Sequence, residues 1–199
     1  MKSIEDKVFD KIRKAKRGTV LFPEDFDEFG SSEAVRITLH RLVKAKEIVR
    51  VAQGIYVRPK TSKFIGTILP SAENIASALA KRDRAKTIPT GSYALNALGL
   101  STQVPMKIVL LTDGSSRIVK VGKRTIKFKK TTPKNLLAKG EISRLVIQAL
   151  KEIGKGNQTL DEEKRIVELL KKEDRKNLLF DIKLAPEWIK KIMKKALDE

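Results

Sequence analysis

The sequence has 199 residues, which is long enough for two domains, and 41% of them are hydrophobic, which is enough for buried cores. The chain has 43 Lys and Arg residues and 24 acidic residues, which gives a net charge of +19. This charge favours a polyanionic partner. A phosphate-bearing partner is the first candidate, and an acidic membrane surface is the alternative. With no cysteine and one histidine, the chain excludes a disulfide framework, a thiolate metal site and a multi-histidine metal site. We expect no cofactor and no bound metal.

The sequence also lacks the patterns of membrane proteins. No run approaches the roughly 18 apolar residues of a membrane span. Residues 1–11 have no apolar core of the kind that marks a signal peptide. We therefore expect a cytoplasmic protein with no membrane partner.

The first elements are short. Apolar spacing predicts a helix over residues 3–16, where Ser3 and Asp6 match a capping box. A brief apolar strand at 19–22 and a helical turn at 24–29 follow. These pieces lead into the stretch that organises the N-terminal part of the chain.

Residues 30–59 are predicted to form a helix followed by a two-stranded hairpin. Ser31 or Ser32 can cap the helix, because a serine oxygen accepts a hydrogen bond from an unpaired backbone amide. One side of the helix is apolar and faces a core. The hairpin follows at 48–58, with Gly54 in its loop. The order of helix, short strand, short helix, basic helix and hairpin predicts a winged helix-turn-helix DNA-binding domain over residues 1–60.

The side of this helix opposite its apolar stripe is basic and suits the major groove of DNA, where Arg addresses guanine and Ile a thymine methyl group. The alternative is an ordinary solvated surface helix. The candidate base readers are Ile37, His40, Arg41 and Lys44. The candidate phosphate or minor-groove contacts are Ser31, Ser32, Arg36, Arg50, Gln53 and Arg58.

Residues 61–70 are predicted to be a linker, and residues 71–199 a mixed α/β domain ending in helices, so the predicted fold class is α+β. A helix over 71–82, a loop at 87–91 and a strand at 107–112 are expected. The short helix at 92–98 is either part of a binding loop or a packing element. A helical tail covers 141–197, and its first helix spans 141–153.

A basic hairpin is predicted over residues 117–130, with Ile118, Ile126 and Phe128 facing inward. Residues 117–134 contain eight Lys or Arg and no acidic residue. Lysines often protect an exposed edge strand from aggregation, which would account for some of them. The alternative is a second phosphate-binding surface. Its members are Arg117, Lys120, Lys123, Arg124, Lys127, Lys129 and Lys130.

No supported catalytic constellation is present, and we expect no enzymatic activity. A Ser–His–Asp triad needs a histidine as its general base, and the one histidine of the chain, His40, lies on the basic helix. Residues 61–135 contain only Glu73, Asp83 and Asp113 as acids, too few for a clustered metal site. Asp113 with Gly114 is more simply read as a turn.

Two stretches resemble the AbiEi-type antitoxins of bacterial type IV toxin–antitoxin and phage-defence operons. The first includes Phe22-Pro23, the spacing of Val35, Leu39 and Leu42, and Gly54-Ile55-Tyr56. The second, longer and more specific, is PTGSYALNALGLSTQVP at residues 89–105, with Leu-Thr-Asp-Gly at 111–114. Lys46 departs from the family pattern, which has a glycine before the wing.

The resemblance implies an autorepressor that binds inverted operator repeats upstream of its own operon. We expect a monomer in solution or a weak dimer on DNA. It also implies that the C-terminal domain opposes a nucleotidyltransferase-like toxin without a stable complex. The alternative is an RNA-binding protein or a plain transcriptional regulator with no antitoxin role.

Overall fold

The computed structural model describes residues 2–198, and its class is α+β, as predicted. The chain divides into two compact units. The first extends to Leu79 and includes residues 120–122. The second comprises residues 80–119 and the described chain from Lys123 onwards.

The first unit begins with helix α1 (Ile4–Lys14), whose start is fixed by the predicted capping box. The Ser3 hydroxyl accepts from the Asp6 amide at 3.1 Å, and the Asp6 carboxylate accepts from the Ser3 amide at 3.1 Å. Strand β1 (Val20–Leu21) and a 3-10 helix (Pro23–Phe29) follow. These elements match the sequence prediction.

Helix α2 (Ser32–Lys44) is capped by Ser31, whose hydroxyl accepts from the Ala34 amide at 3.3 Å. The predicted apolar stripe is buried and joins residues of α1, β1 and the 3-10 helix in one core. That core contains Val8, Ile12, Leu21, Phe26, Val35, Leu39, Leu42, Ile48 and Tyr56.

Lys46, two residues after the end of helix α2, has a left-handed backbone conformation with a φ of +61°. The Lys46 amide donates to the Val43 carbonyl and the Glu47 amide to the Leu42 carbonyl, both at 3.0 Å. These two bonds form a Schellman motif, in which glycine is the usual left-handed residue. The position where the family resemblance places a glycine therefore requires the conformation that glycine adopts most easily.

Strands β2 (Val49–Ala52) and β3 (Ile55–Val57) form the hairpin that follows α2. The sheet order is β1-β3-β2, and both pairings are antiparallel. The central strand β3 is fully buried, and the hairpin turn is Gln53-Gly54.

The segment predicted to be a linker contains a hairpin of its own. Strands β4 (Lys60–Ser62) and β5 (Gly66–Ile68) pair with each other as a separate two-stranded sheet. Helix α3 (Ala72–Arg82) follows, and the Ser71 hydroxyl accepts from the Asn74 amide at 3.2 Å, which is the predicted cap.

A four-stranded sheet contains β6 (Thr87–Thr90), β7 (Lys107–Thr112), β8 (Arg117–Val121) and β9 (Arg124–Lys130) in the order β6-β7-β9-β8. Strand β7 runs parallel to β9, so the β8–β9 hairpin returns the chain alongside β7. The sequence predicted a loop at 87–91, which was wrong, because residues 87–90 pair with β7. Strand β6 tolerates Pro89 because it lies at the sheet edge.

The predicted inward direction of Ile118 was also wrong. Ile126 and Phe128 are buried, whereas Ile118 is 60% exposed. Alternation along β8 places Arg117 and Val119 on the partly buried side. The Arg117 guanidinium lies over the Phe128 ring, at 4.8 Å from its centroid, and occupies the side expected for Ile118.

The second unit also contains five helices, which are α4 (Ser92–Ala97), α5 (Glu141–Ile153), α6 (Leu160–Leu170), α7 (Arg175–Leu184) and α8 (Glu187–Lys194). Helix α5 has the predicted bounds, and Val146, Ala149 and Leu150 are fully buried in the core that the five helices share. Ala94 of α4 and Leu98, the residue that follows the helix, join that core, which favours the packing interpretation of this helix.

Candidate nucleic-acid interface

Helix α2 presents a continuous exposed face opposite its buried stripe. Every candidate base reader on it is exposed, and Ile37 is 48% exposed despite being apolar. Residues three and four apart lie on the same face of a helix, so these side chains form one row. The exposed members are Arg36, Ile37, His40, Arg41 and Lys44.

Arg41 is already engaged within the first unit. Its Nη1 donates to Glu5 Oε2 of α1 at 3.1 Å, and the side chains are 64% and 44% exposed. An ion pair this exposed contributes about 0–1 kcal/mol of stability. Arg41 can therefore exchange Glu5 for another anion at little cost.

The N-terminal end of the same face carries Glu33, Ser31 and Ser32, all exposed. The Ser31 oxygen is used to cap α2, which leaves its hydroxyl proton able to donate to a phosphate. Glu33 is acidic and is not among the residues predicted to contact DNA. A carboxylate there repels phosphate but can accept a hydrogen bond from cytosine N4 in the major groove.

The β2–β3 hairpin contributes two exposed candidates and one that is held internally. Arg50 and Gln53 are exposed on β2 and in the turn. Arg58 is half-buried, and its Nη1 donates to the Arg13 carbonyl at 2.7 Å and to the Ala15 carbonyl. These carbonyls belong to the C-terminal end of α1, where a cation is stabilised by unpaired carbonyl groups. Arg58 thus fastens the hairpin to α1.

Most of the predicted second basic surface is exposed. Lys120, Lys123, Lys129 and Lys130 are exposed, and Arg124 and Lys127 are half-buried. The structure of the β8–β9 hairpin is therefore compatible with phosphate contacts from four of the seven predicted residues.

Arg117, the first residue of that predicted surface, differs from the others. Its guanidinium forms an ion pair with Asp83, which also accepts from Arg82 Nε at 2.9 Å. Burial opposes the ionisation of Asp83, but the hydrogen bonds from Arg82 and Arg117 outweigh it, so the pKa of this carboxyl lies below its usual value. Arg117 therefore serves the packing of the second unit.

The structure brings together a cationic cavity that the sequence analysis missed. Lys134, Arg144 and Lys151 line it together with Gln148, and none of its lining residues is acidic. Arg144 Nε is buried without a hydrogen-bond partner in the described part of the chain, and burial lowers the pKa of Lys151. No sequence signal joins these residues, because they come from a 3-10 helix (Pro133–Leu136) and from α5.

Within residues 2–198, no group of three or more potential ligands is placed to hold a metal ion. None of the described helices combines the length and the apolar character needed to cross a membrane.

Comparison with solved structures finds similarity to the crystal structure of the Rv2827c protein from Mycobacterium tuberculosis, with a TM-score of 0.47 and 12% sequence identity. The match covers 96% of this chain and 81% of that chain. No curated protein matches the sequence. Residues 7–178 match the family described as a family of unknown function, DUF6088. The chain belongs to the DUF6088 family.

Proposed function

We propose that this protein is a DNA-binding transcriptional regulator that places α2 in the major groove and the β2–β3 hairpin beside it as a wing. One observation carries the proposal. An exposed row of Arg36, Ile37, His40, Arg41 and Lys44 faces away from a buried stripe on the helix that directly precedes a β-hairpin. Helix, strand, 3-10 helix, helix and hairpin is the element order of a winged helix-turn-helix.

Charge supports the same partner. The net charge of +19 attracts the phosphate backbone, and the row on α2 offers groups that distinguish bases. Arg41 and Lys44 are expected to address bases or adjacent phosphates, and Arg50 and Gln53 to contact the backbone from the hairpin. Replacing Arg41 by Ala should cost about 1–3 kcal/mol of binding free energy and relax sequence preference.

The test begins with the DNA upstream of the gene, titrated against the full chain by gel shift and fluorescence anisotropy at several salt concentrations. A triple Ala variant of Arg41, Lys44 and Arg50 should lose preference for this DNA over a scrambled duplex. The matched control is a triple Ala variant of Lys172, Arg175 and Lys176, exposed residues that carry the same charge. This control variant should bind both duplexes slightly more weakly than the wild type, with the same loss of affinity for each. Unchanged preference in the first variant would refute this docking.

A second function, that of an antitoxin, is supported by the resemblance of residues 89–105 and 111–114 to AbiEi-type proteins. We propose that the protein represses its own operon through operator repeats and opposes a nucleotidyltransferase-like toxin without forming a stable complex with it. The test co-expresses the full chain with the toxin candidate encoded beside it. Growth should be rescued by the wild type and by the triple Ala variant of Arg41, Lys44 and Arg50.

The outcomes separate the two functions. If the triple Ala variant no longer binds the operator but still rescues growth, the antitoxin role belongs to groups other than the α2 row. If the protein binds the operator but the adjacent gene encodes no toxin, the protein is a plain transcriptional regulator. Tighter binding of a structured RNA than of any duplex DNA would favour an RNA-binding protein and refute the operator proposal.

A further inference from the structure

The tip of the β4–β5 hairpin exposes two large apolar side chains. The pairing of Ser62 with Gly66 leaves three residues in the loop, and Gly66 has a φ of +70°, as such tight loops require. Phe64 is 96% exposed and Ile65 is 73% exposed. A two-stranded hairpin is marginally stable by itself, so an apolar tip that packs on nothing gives it no support.

The charge around this tip selects the kind of partner. Lys63 is exposed next to Phe64 in the loop, and Lys60 is exposed at the base of the hairpin, where it pairs with Ile68. From Ile48 to Ala72 the sequence contains four basic residues and no acidic residue. A second copy of the chain would bring the same positive tip and the same net charge of +19 against it. An anionic partner that also offers flat apolar surfaces fits better, and stacked bases between phosphates have both properties.

We propose that Phe64 and Ile65 form an apolar wedge that inserts from the minor groove between base pairs of duplex DNA and kinks the duplex, while Lys60 and Lys63 contact the flanking phosphates. This inference rests on the proposed DNA-binding function and extends it to a second contact made by the first unit.

The dimensions of the hairpin are compatible with this insertion. Three residues per strand, at about 3.3 Å each, project the tip by about 10 Å. The minor groove is about 7.5 Å deep and about 6 Å wide, so the tip can reach the bases once the groove opens. Apolar wedges open this groove themselves, because unstacking one base step kinks the duplex towards the major groove. Flexible pyrimidine–purine steps make that kink easiest.

The test places a fluorescent reporter at the tip. The chain has one tryptophan, Trp188, which packs against the core of the second unit. A variant with Trp188→Phe and Phe64→Trp carries its only indole at residue 64. With a saturating 30-base-pair duplex that contains central TA steps, its emission should fall at least twofold, because stacked bases quench indole. The wild type, which reports from residue 188, should change little.

Affinity and bending measurements complete the test. Phe64→Ala and Ile65→Ala together should weaken duplex binding about tenfold or more without changing the salt dependence, since no charge is lost. They should also abolish the end-to-end shortening of the duplex measured by energy transfer. Lys63→Gln should instead reduce the log–log salt slope by about 1. Melting temperatures should be unchanged in the Ala variant, because both side chains are already exposed in the free protein.

The contrary outcomes are distinct. Equal affinity and bending by the wild type and the Ala variant would overturn the wedge, while loss of preference in the Arg41, Lys44 and Arg50 variant would still support the proposed function. If duplex leaves the emission at residue 64 unchanged but vesicles of phosphatidylglycerol shift it to the blue, the tip binds a membrane. If protein concentration alone produces the blue shift, the tip binds a second copy of the chain. A wild type that binds no duplex would refute both proposals.

Discussion

Arg41 of helix α2 donates a hydrogen bond to Glu5 of helix α1 at 3.1 Å, which ties the central candidate base reader to a neighbouring helix. The pair is exposed, so it fixes the direction of the guanidinium more than it stabilises the fold. In the free protein the Glu5 carboxylate occupies a donor group of Arg41 that, under the proposed function, contacts the major groove of DNA.

Replacing Glu5 by Gln is therefore expected to raise affinity for duplex DNA by up to about fivefold, because Arg41 no longer exchanges an ion pair worth about 0–1 kcal/mol for its DNA contact. The measurement is anisotropy titration at fixed salt. Asp10→Asn is the matched control, since it removes one negative charge from α1 that pairs with Lys2 and not with Arg41. Equal gains from both variants would mean that net charge alone is responsible.

Lys46→Gly is expected to stabilise the first unit by about 0.5–1 kcal/mol. A left-handed conformation costs a residue with a side chain about 1–2 kcal/mol, and the greater flexibility of glycine in the unfolded chain offsets about 0.5–1 kcal/mol of the gain. Urea unfolding measures the change. Gly99, whose φ is +68° at the end of α4, is the reverse control, and Gly99→Lys should destabilise the protein. If Lys46→Gly destabilised the protein, this description of the turn would be wrong.

Arg117 and Asp83 are expected to contribute to stability as a pair. Arg117→Gln and Asp83→Asn should each lower the melting temperature, and the double variant should lose less than their sum because both remove the same interaction. The pKa of Asp83 is depressed in the folded state, so its contribution is present above the unfolded pKa and is lost as the pH falls through the folded pKa. Melting temperatures measured at decreasing pH should therefore fall further in the wild type than in Asp83→Asn, which keeps the other carboxyls whose pKa values are lowered. Additive single effects would contradict the pairing.

The salt dependence of DNA binding should depend on the exposed lysines of the hairpin and not on Arg117. Replacing Lys120, Lys123, Lys129 and Lys130 by Gln should flatten the log–log slope, by about 0.9 for each lost phosphate contact, and leave preference among duplex variants intact. Four exposed lysines elsewhere provide a control of equal charge, namely Lys172, Lys176, Lys183 and Lys191. If the hairpin variant and the control variant have the same log–log salt slope, the charge of the hairpin is solvated or serves another acidic partner.

These residues also show how far sequence reasoning extends. Helix α5 was predicted with its observed bounds because its apolar spacing persists over three turns and glycines flank it. The exposed row on α2 followed from the same periodicity. Strand β6 was missed because Pro89 suggests a loop, and only pairing with β7 makes it a strand. The partner of Arg41 lies 36 residues away, and no local pattern encodes such a contact.

The N-terminus of helix α5 shows a further long-range contact that periodicity cannot indicate. Its first turn is capped by two carboxylates from beyond α6. Asp181 is completely buried and accepts from the Lys139 and Gly140 amides, each at 2.8 Å, and from the Ser143 hydroxyl. Glu173 accepts from the Ile142 amide at 2.8 Å and the Ser143 amide at 3.1 Å. Amides at a helix start favour negative charge, so both carboxylates stabilise the junction.

Asp181→Ala is consequently expected to lower the free energy of unfolding by about 3–5 kcal/mol, because it leaves buried amides without partners and removes charge-assisted hydrogen bonds. Glu173→Ala should cost less, since that carboxylate is only half-buried and water can replace it. Gly140→Ala should also destabilise the protein, because a Cβ there would collide with the Glu173 carboxylate and the Ser143 hydroxyl. Urea unfolding followed by Trp188 emission reports on this unit. A loss below about 1 kcal/mol for Asp181→Ala would show that the capping network contributes little to the fold.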